Sequence, residues 1–414
     1  MSPWPAIELG KVAEIAAGGS APQDPDDFSK VGIPFVRAGS LKPLIEGAIV
    51  ESSLELLSED VAKKHRLRLF PAGSVLFAKS GMSATKGLVY RLTSPAYVVN
   101  HLAAVIAGPN LDSGYLRHCL QVFSPTCLIQ DEAYPSIRLS DITLMKIPLP
   151  PLDEQKKIAD ILDRAEALRA KRRAALAQLD ELVQSIFIEM FGDPMKNPRG
   201  FNVVKLSEVS EVSSGLTLNS QRRSKKENLF PYLRVANVFR NKLDLSEIKY
   251  IHISDSETNK YMLKKDDVLI VEGHGNIEEI GRTAVWKGEI ANCAHQNHII
   301  KVRLDENYMR PYFASYFLNL YGNKGYFYYK SRTTSGLNTI STNKVRDVEI
   351  FLPPIDTQLM FEKIVLEIER RQQSQQQSLL EINNLFDALL HEAFTGKLFS
   401  NQFFDRKIEK GVKI

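Results

Sequence analysis

The densest cationic stretch of the sequence is Arg222-Arg223-Ser224-Lys225-Lys226. Such a run is either a solvated loop or a set of contacts to phosphate oxygens, which fix affinity and register without reading sequence. A second stretch, Lys330-Ser331-Arg332-Thr333-Thr334-Ser335-Gly336-Leu337-Asn338-Thr339, mixes the side chains that pair with base edges in a DNA groove. Its counterpart in the first half is Tyr134-Pro135-Ser136-Ile137-Arg138. The aromatic residues just before it, Tyr326 to Tyr329, read as mostly core. A glycine-rich segment, Glu272–Gly281, lies between two strand-like runs and predicts a strand–loop–strand tip with His274 and Asn276 as donors. The remaining candidates for a DNA surface are Arg37, Lys79, Ser80, Lys86 and His101 in the first half, and Arg234, Arg282 and His298 in the second.

Other chemistries find little support. Cys293, His295 and His298 are close in sequence, but their spacing matches no strong zinc pattern and no second cluster completes one, so no metal site is expected. There is no Gly-x-x-x-x-Gly-Lys-Ser/Thr loop to cradle phosphates, so ATP hydrolysis by this chain is not expected. No paired acids, nucleophile elbow or Asn-Pro-Pro-Tyr motif is evident, which favours a recogniser over a catalyst. A net charge of +4 permits nucleic-acid binding and is too small to argue for it, so local clustering has to carry that case. Charged residues at 25% and hydrophobic residues at 44% are ordinary for a soluble globular chain. The apolar run near 97–107 is interrupted by Asn100 and His101, too short for a bilayer, and the start Met1-Ser2-Pro3-Trp4-Pro5 has no signal-peptide pattern. Cys119, Cys127 and Cys293 suggest no disulfide framework, and a cytoplasmic protein without a membrane partner is expected.

At 414 residues the chain needs two to three domains, and its elements repeat. Pro34-Phe35-Val36-Arg37-Ala38 returns as Pro231-Tyr232-Leu233-Arg234-Val235, an offset of 197 that also relates Gly18 to Gly215 and Asn100-His101 to Asn297-His298. Ile147 to Gln155 returns as Ile350 to Gln358 at an offset of 203, so the second copy gains six residues net between His298 and Ile340. The interiors match loosely: Val75-Leu76-Phe77 answers Val268-Leu269-Ile270 only if compensating insertions flank it. A repeat this long is a domain plus a helix, not a solenoid unit. Short β-branched runs and the helical stretches Tyr115–Phe123 and Arg310–Leu320 make each domain α+β.

Two long helices must position these domains. From Asp153 to Met190, apolar residues such as Ile158, Leu162, Leu179, Val183 and Ile186 recur at steps of three and four, and Asp356 to Phe394 does the same. The Pro150-Pro151 and Pro353-Pro354 pairs mark their starts, and Gly192 and Gly396 their stops. Each would be roughly 55 Å long, and the simplest packing is antiparallel. The middle of the first, Arg169-Ala170-Lys171-Arg172-Arg173, is either a solvated face or a basic strip toward DNA. The Gln-rich middle of the second, 371–378, is expected to be helical because heptads flank it. The expected layout is a domain at 1–150, a helix at 151–192, a domain at 193–352, a helix at 353–398 and a tail at 399–414.

In this order of parts the chain resembles the specificity subunits of type I restriction-modification systems. The resemblance rests on Trp4 to Ile15, on Pro34-Phe35-Val36-Arg37, on Leu149-Pro150-Pro151-Leu152-Asp153-Glu154-Gln155 and Leu352-Pro353-Pro354-Ile355-Asp356-Thr357-Gln358, and on the endings Phe191-Gly192-Asp193-Pro194 and Phe394-Thr395-Gly396-Lys397-Leu398. Thr357 departs from it, since that position often carries an acid. The resemblance implies two target-recognition domains related by a pseudo-twofold axis, each reading half of a bipartite DNA target, with the antiparallel helices fixing the spacer. It also implies two modification subunits using S-adenosylmethionine and motor-nuclease subunits using ATP and Mg2+, with no cofactor on this chain. The competing readings are a duplicated coiled-coil scaffold for proteins, which would lack salt-dependent DNA affinity, and a DNA-cleaving enzyme, which would need converging acidic metal ligands.

Overall fold

The computed structural model describes residues 3–398 except 225, 226, 324, 335 and 336. Lys225, Lys226 and the tail 399–414 lie outside the described residues, as do the side chains of Arg223, Arg332, Thr333 and Thr334. The chain divides into two compact units, one of residues up to Ala175 together with those from Gln375 onward, the other Leu176–Ser374.

In the first unit a four-stranded antiparallel sheet runs in the order Ala13–Ala17, Leu102–Ala107, Val75–Ala78, Val89–Arg91. All of Val75–Ala78 is buried, because both faces of the sheet are covered. Val75, Phe77, Ala103 and Val105 face the helix Ser113–Val122 and the start of the first long helix. Leu76, Ala78, Leu102 and Ala104 face a second sheet, ordered Leu56–Leu57, Ile33–Val36, Ala96–Val98, Leu69–Phe70. The alternation is that of strand geometry applied to two covered faces.

The second unit repeats the plan. Its sheet runs Ser210–Ser214, Ile299–Leu304, Val268–Val271, Thr283–Val285, and a smaller sheet of Lys249–His252, Leu229–Leu233 and Ala294–His295 covers one face. Registers settle the loose alignment: Val75 pairs with Val105 and Val268 with Val302, so Val75 and Val268 are equivalent. Outside the shared frame, the second domain adds a hairpin of Val238–Phe239 with Lys242–Leu243. It also has a three-stranded sheet, Gly273–His274, Leu337–Thr339, Arg332–Thr334, where the first domain has one bridge between Ser80 and Ser136. The net gain falls here and in the helix Pro311–Asn323, 13 residues against 10 in Ser113–Val122.

The long helices span Leu152–Phe191 and Ile355–Phe394, and the Gln-rich middle is helical as expected. Each unit holds the start of one and the end of the other. In the first, Ile158 and Leu162 share a core with Phe386 and Phe394. In the second, Phe361 and Val365 share one with Val183, Phe187 and Phe191. Within each unit the two segments run antiparallel: Arg169 Nε donates to Asn383 Oδ1 at 2.8 Å in the first, and Gln372 Nε2 to Asp180 Oδ1 at 2.7 Å in the second.

The joints match as well. The Phe191 ring meets Phe313 at 4.9 Å, and the equivalent Phe394 ring meets Tyr115 at 5.4 Å. Gly192 and Gly396 end the helices at φ +86° and +75°, a left-handed conformation that favours glycine, and a Cβ there would collide with Pro198 and Pro3 respectively. The second helix therefore meets the first domain as the first helix meets the second domain. One joint is covalent and the other is made by packing alone.

The repeated Leu-Pro-Pro motif also has a structural cause. Gln155 and Gln358 are fully buried. Gln155 Oε1 accepts from Asp112 N at 2.8 Å, while its Nε2 donates to Asn110 O at 3.0 Å and Pro150 O at 2.9 Å. Gln358 makes the same three bonds, to Arg310 N, Tyr308 O and Pro353 O. Each glutamine ties the start of a long helix to the loop that opens the domain's own helix.

Candidate nucleic-acid interface

Three segments of each domain meet at one junction, held by backbone bonds. In the first domain Lys79 N donates to His101 O at 2.9 Å, Ile137 N to Lys79 O at 2.8 Å, and Gly81 N to Pro135 O at 2.9 Å. In the second, Glu272 N donates to His298 O and Ile340 N to Glu272 O, both at 2.9 Å. The strands just before Lys79 and Glu272 are the fully buried central strands, so the junction hangs on the most rigid part of each domain.

These junctions gather many of the candidate side chains. Lys79, Ser80, His101 and Ser136 come together in the first domain, where Ser80 Oγ lies 2.8 Å from His101 Nδ1. His101, Ser136, Arg138 and Lys86 are exposed, Lys86 one loop away and Arg138 at the N-terminus of the helix Leu139–Leu144. In the second domain, His298 Nδ1 lies 3.2 Å from Glu272 Oε2, and Asn338 donates to the carbonyls of His274 and Gly275 at 3.4 and 3.2 Å. His274 Nδ1 accepts from Asn276 N at 3.0 Å, and Asn276 caps the turn Ile277–Glu279. The Arg332–Thr334 strand completes this sheet, and Lys330 is exposed beside it.

Other candidates are occupied inside their domains. Arg37 pairs with Glu55 at 2.6 Å, and its repeat equivalent Arg234 pairs with Glu247 at 3.0 Å, so the motif arginine meets a carboxylate of its own domain in both copies. Arg222 is held by Glu257 at 2.9 Å, an ion pair that keeps the Glu257 carboxyl down at about 2. Arg282 is 5% exposed, bound to Glu279 at 2.8 Å and Val235 O at 3.0 Å with its guanidinium over the Phe239 ring. The arginine-rich helix middle splits: Arg169 stacks on Phe386 at 4.4 Å and Arg172 bonds Gln375, while Lys171 and Arg173 are exposed.

The aromatic run divides differently from expectation. Phe327 is buried, but Tyr328 and Tyr329 are 40% and 77% exposed, because the short helix Tyr326–Lys330 turns only one face inward. In the first domain Tyr134, 82% exposed, also flanks the junction. Sequence reasoning placed Tyr134 and Glu272 in candidate segments without singling out either side chain. For Glu272 the signal was present, since Val75-Leu76-Phe77 answering Val268-Leu269-Ile270 carries Lys79 onto Glu272, as the registers bear out.

Cys293, His295 and His298 do not converge as ligands: His295 Nδ1 donates to Ile299 O at 2.9 Å and His298 faces Glu272. Among the described residues, His118, Asp163 and Glu166 place ligand atoms within 4.8 Å of one another, beside a cleft of about 690 Å³ in the first unit. Arg117 occupies the centre of that group, 2.8 Å from Asp163 and 2.5 Å from Glu166. Burial would push the Asp163 carboxyl up, but bonds from His118 and the charge of Arg117 hold it at about 2. The group is thus a neutralised ion-pair network, with a guanidinium where a cation would sit.

The family model of the type I restriction modification DNA specificity domain matches residues 1–178 and 198–384. The EcoKI specificity subunit of Escherichia coli K12 is 25% identical, over 90% of this chain and 83% of its own length. The StySPI specificity subunit of Salmonella potsdam is 23% identical over the same shares. The crystal structure of a type I restriction-modification S subunit from M. genitalium has the same fold, with a TM-score of 0.56 at 15% identity, covering 95% of this chain and 96% of that one. No helix among the described residues is long and apolar enough to cross a membrane. A frame repeated bond for bond, two matching loop junctions and a family match to each copy lead to one assignment: the chain belongs to the type I restriction-modification DNA specificity domain family and carries two such domains.

Proposed function

We propose that this chain is the sequence-reading subunit of a type I restriction-modification complex, in which each domain reads one half of a two-part DNA target. The observation that carries this is the paired junction: one backbone frame, present twice, carries different side chains. Two readers of unlike half-sites on shared partners need this combination, since partners constrain the frame and targets constrain the loops. The exposed Lys86, Arg138 and Lys330 beside the junctions supply phosphate contacts, and Ser136 and Asn276 approach base edges. The long helices fix the spacer between half-sites, by the geometry that ties site spacing to the DNA helical repeat.

In this reading the chain binds double-stranded DNA and docks two modification subunits, which bring S-adenosylmethionine and methylate adenine after flipping it from the stack. Motor-nuclease subunits bring ATP and Mg2+. The chain itself performs no bond chemistry, holds no cofactor and works in the cytoplasm. The test is genome-wide N6-methyladenine mapping in cells carrying this chain and its modification subunit, against cells lacking only this chain. A two-part motif that vanishes with the chain supports the reading. An unchanged methylome, with the complex expressed and assembled, contradicts it.

A further inference from the structure

We propose that Glu272 selects one base of the second domain's half-site, at the position where the first domain uses Lys79. This rests on the reading of the two domains as DNA readers and names the group that makes their half-sites differ.

The two residues occupy one place. Each follows the last residue of the central buried strand, Ala78 or Val271, and each has both backbone polar groups taken by equivalent partners. Lys79 bonds the backbone of His101 and Ile137, and Glu272 that of His298 and Ile340. Neither main chain can shift without breaking a three-segment junction, so both side chains leave from a fixed root and are only partly buried. At this root the charge is reversed. The adjoining histidine, itself in matching positions, also changes partner: His101 is held by Ser80 and leaves Lys79 aside, whereas His298 is held by Glu272.

An acid close to DNA is costly against phosphate, so its use at a fixed point of a recognition junction implies a donor to meet it. In the major groove the donors are the exocyclic amino groups of cytosine and adenine, while an ammonium at the same place pairs with guanine O6 and N7. Glu272 therefore selects an amino-bearing base, cytosine foremost, and Lys79 selects guanine. The His298 contact at Oε2 orients the carboxylate and engages only one of its two oxygens. The exposed cations beside the junctions, Lys86, Arg138 and Lys330, supply affinity instead.

The experiment uses the full chain assembled with its modification subunit, as wild type and as Glu272→Gln, Glu272→Lys and Lys79→Glu. Adenine methylation is mapped across a genome, and the purified complexes are bound to duplexes permuted at each target base. Glu272 variants are expected to change one position of one half-site, toward adenine for Gln and guanine for Lys, with discrimination there falling about 5- to 150-fold. Lys79→Glu should change one position of the other half-site only. Unchanged preferences in all three variants overturn the inference, and so does a uniform loss of binding to every duplex, since a base reader leaves phosphate-driven binding in place. A wild-type complex without a two-part motif would instead sink the functional reading on which the inference rests.

Discussion

The layer between the two sheets is apolar in both domains, but in the second three of its positions are polar. Ala16, Val98 and Ala104 line it in the first, and the registers place Ser213, His295 and Lys301 at the same positions in the second. His295 and Lys301 are 0% and 2% exposed, and neither Ser213 Oγ nor His295 Nε2 has a hydrogen-bond partner among the described residues. Yet the four-stranded sheets share strand order and register on both sides of the comparison. Backbone pairing and helix docking thus determine the frame, and the interior layer is free to drift even at a cost in unsatisfied groups. The same separation holds at the junctions, where Lys79 and Glu272 differ on an identical backbone root.

The comparison breaks most visibly at the frame residues. Gln155→Leu and Gln358→Leu should each destabilise their own unit by about 2–4 kcal/mol, because each strands one buried N–H and two carbonyls. Thermal unfolding followed by hydrogen exchange would assign the loss to a unit. Losses of unlike size in the two variants would show that the shared frame is only apparent.

A smaller effect sharpens the contrast between the interiors. Burial and the nearby Lys301 charge push the His295 pKa down to about 3, from an ordinary 6.5. The unfolded chain takes up a proton below about 6.5 that the folded domain refuses. This contribution is therefore complete above pH 6.5 and is lost as pH falls toward 3, by up to about 1.4 kcal/mol per unit. Hydrogen exchange of the Ile299–Leu304 strand at pH 7 and pH 5 should show the loss in the second domain, and His295→Leu should remove it. A slope that survives the substitution would assign the effect elsewhere.

Much of the frame was legible in the sequence, because it rests on local signals that survive duplication. Proline pairs start the long helices, heptad spacing carries them, and Gly192 and Gly396 stop them where a left-handed residue is needed. The function of Gln155 and Gln358 was not legible, since their partners lie about 45 residues away and only the fold brings them together. Arg37 and Arg234 stood out as a repeated arginine, while their ion pairs with Glu55 and Glu247 were not legible, since the acids share no repeated motif. Glu272 was missed for a different reason: its equivalence to Lys79 follows from a loose match of three apolar residues, which only the strand register makes firm.

Two readers that share one frame should be exchangeable independently of each other. The most direct test exchanges residues 201–345 for the equivalent domain of a relative with a different target and maps adenine methylation in the assembled complex. One half of the two-part motif is expected to change to the donor's while the other half and the spacer stay as they were. A change in both halves would contradict it, as would a folded chimera that keeps the original motif.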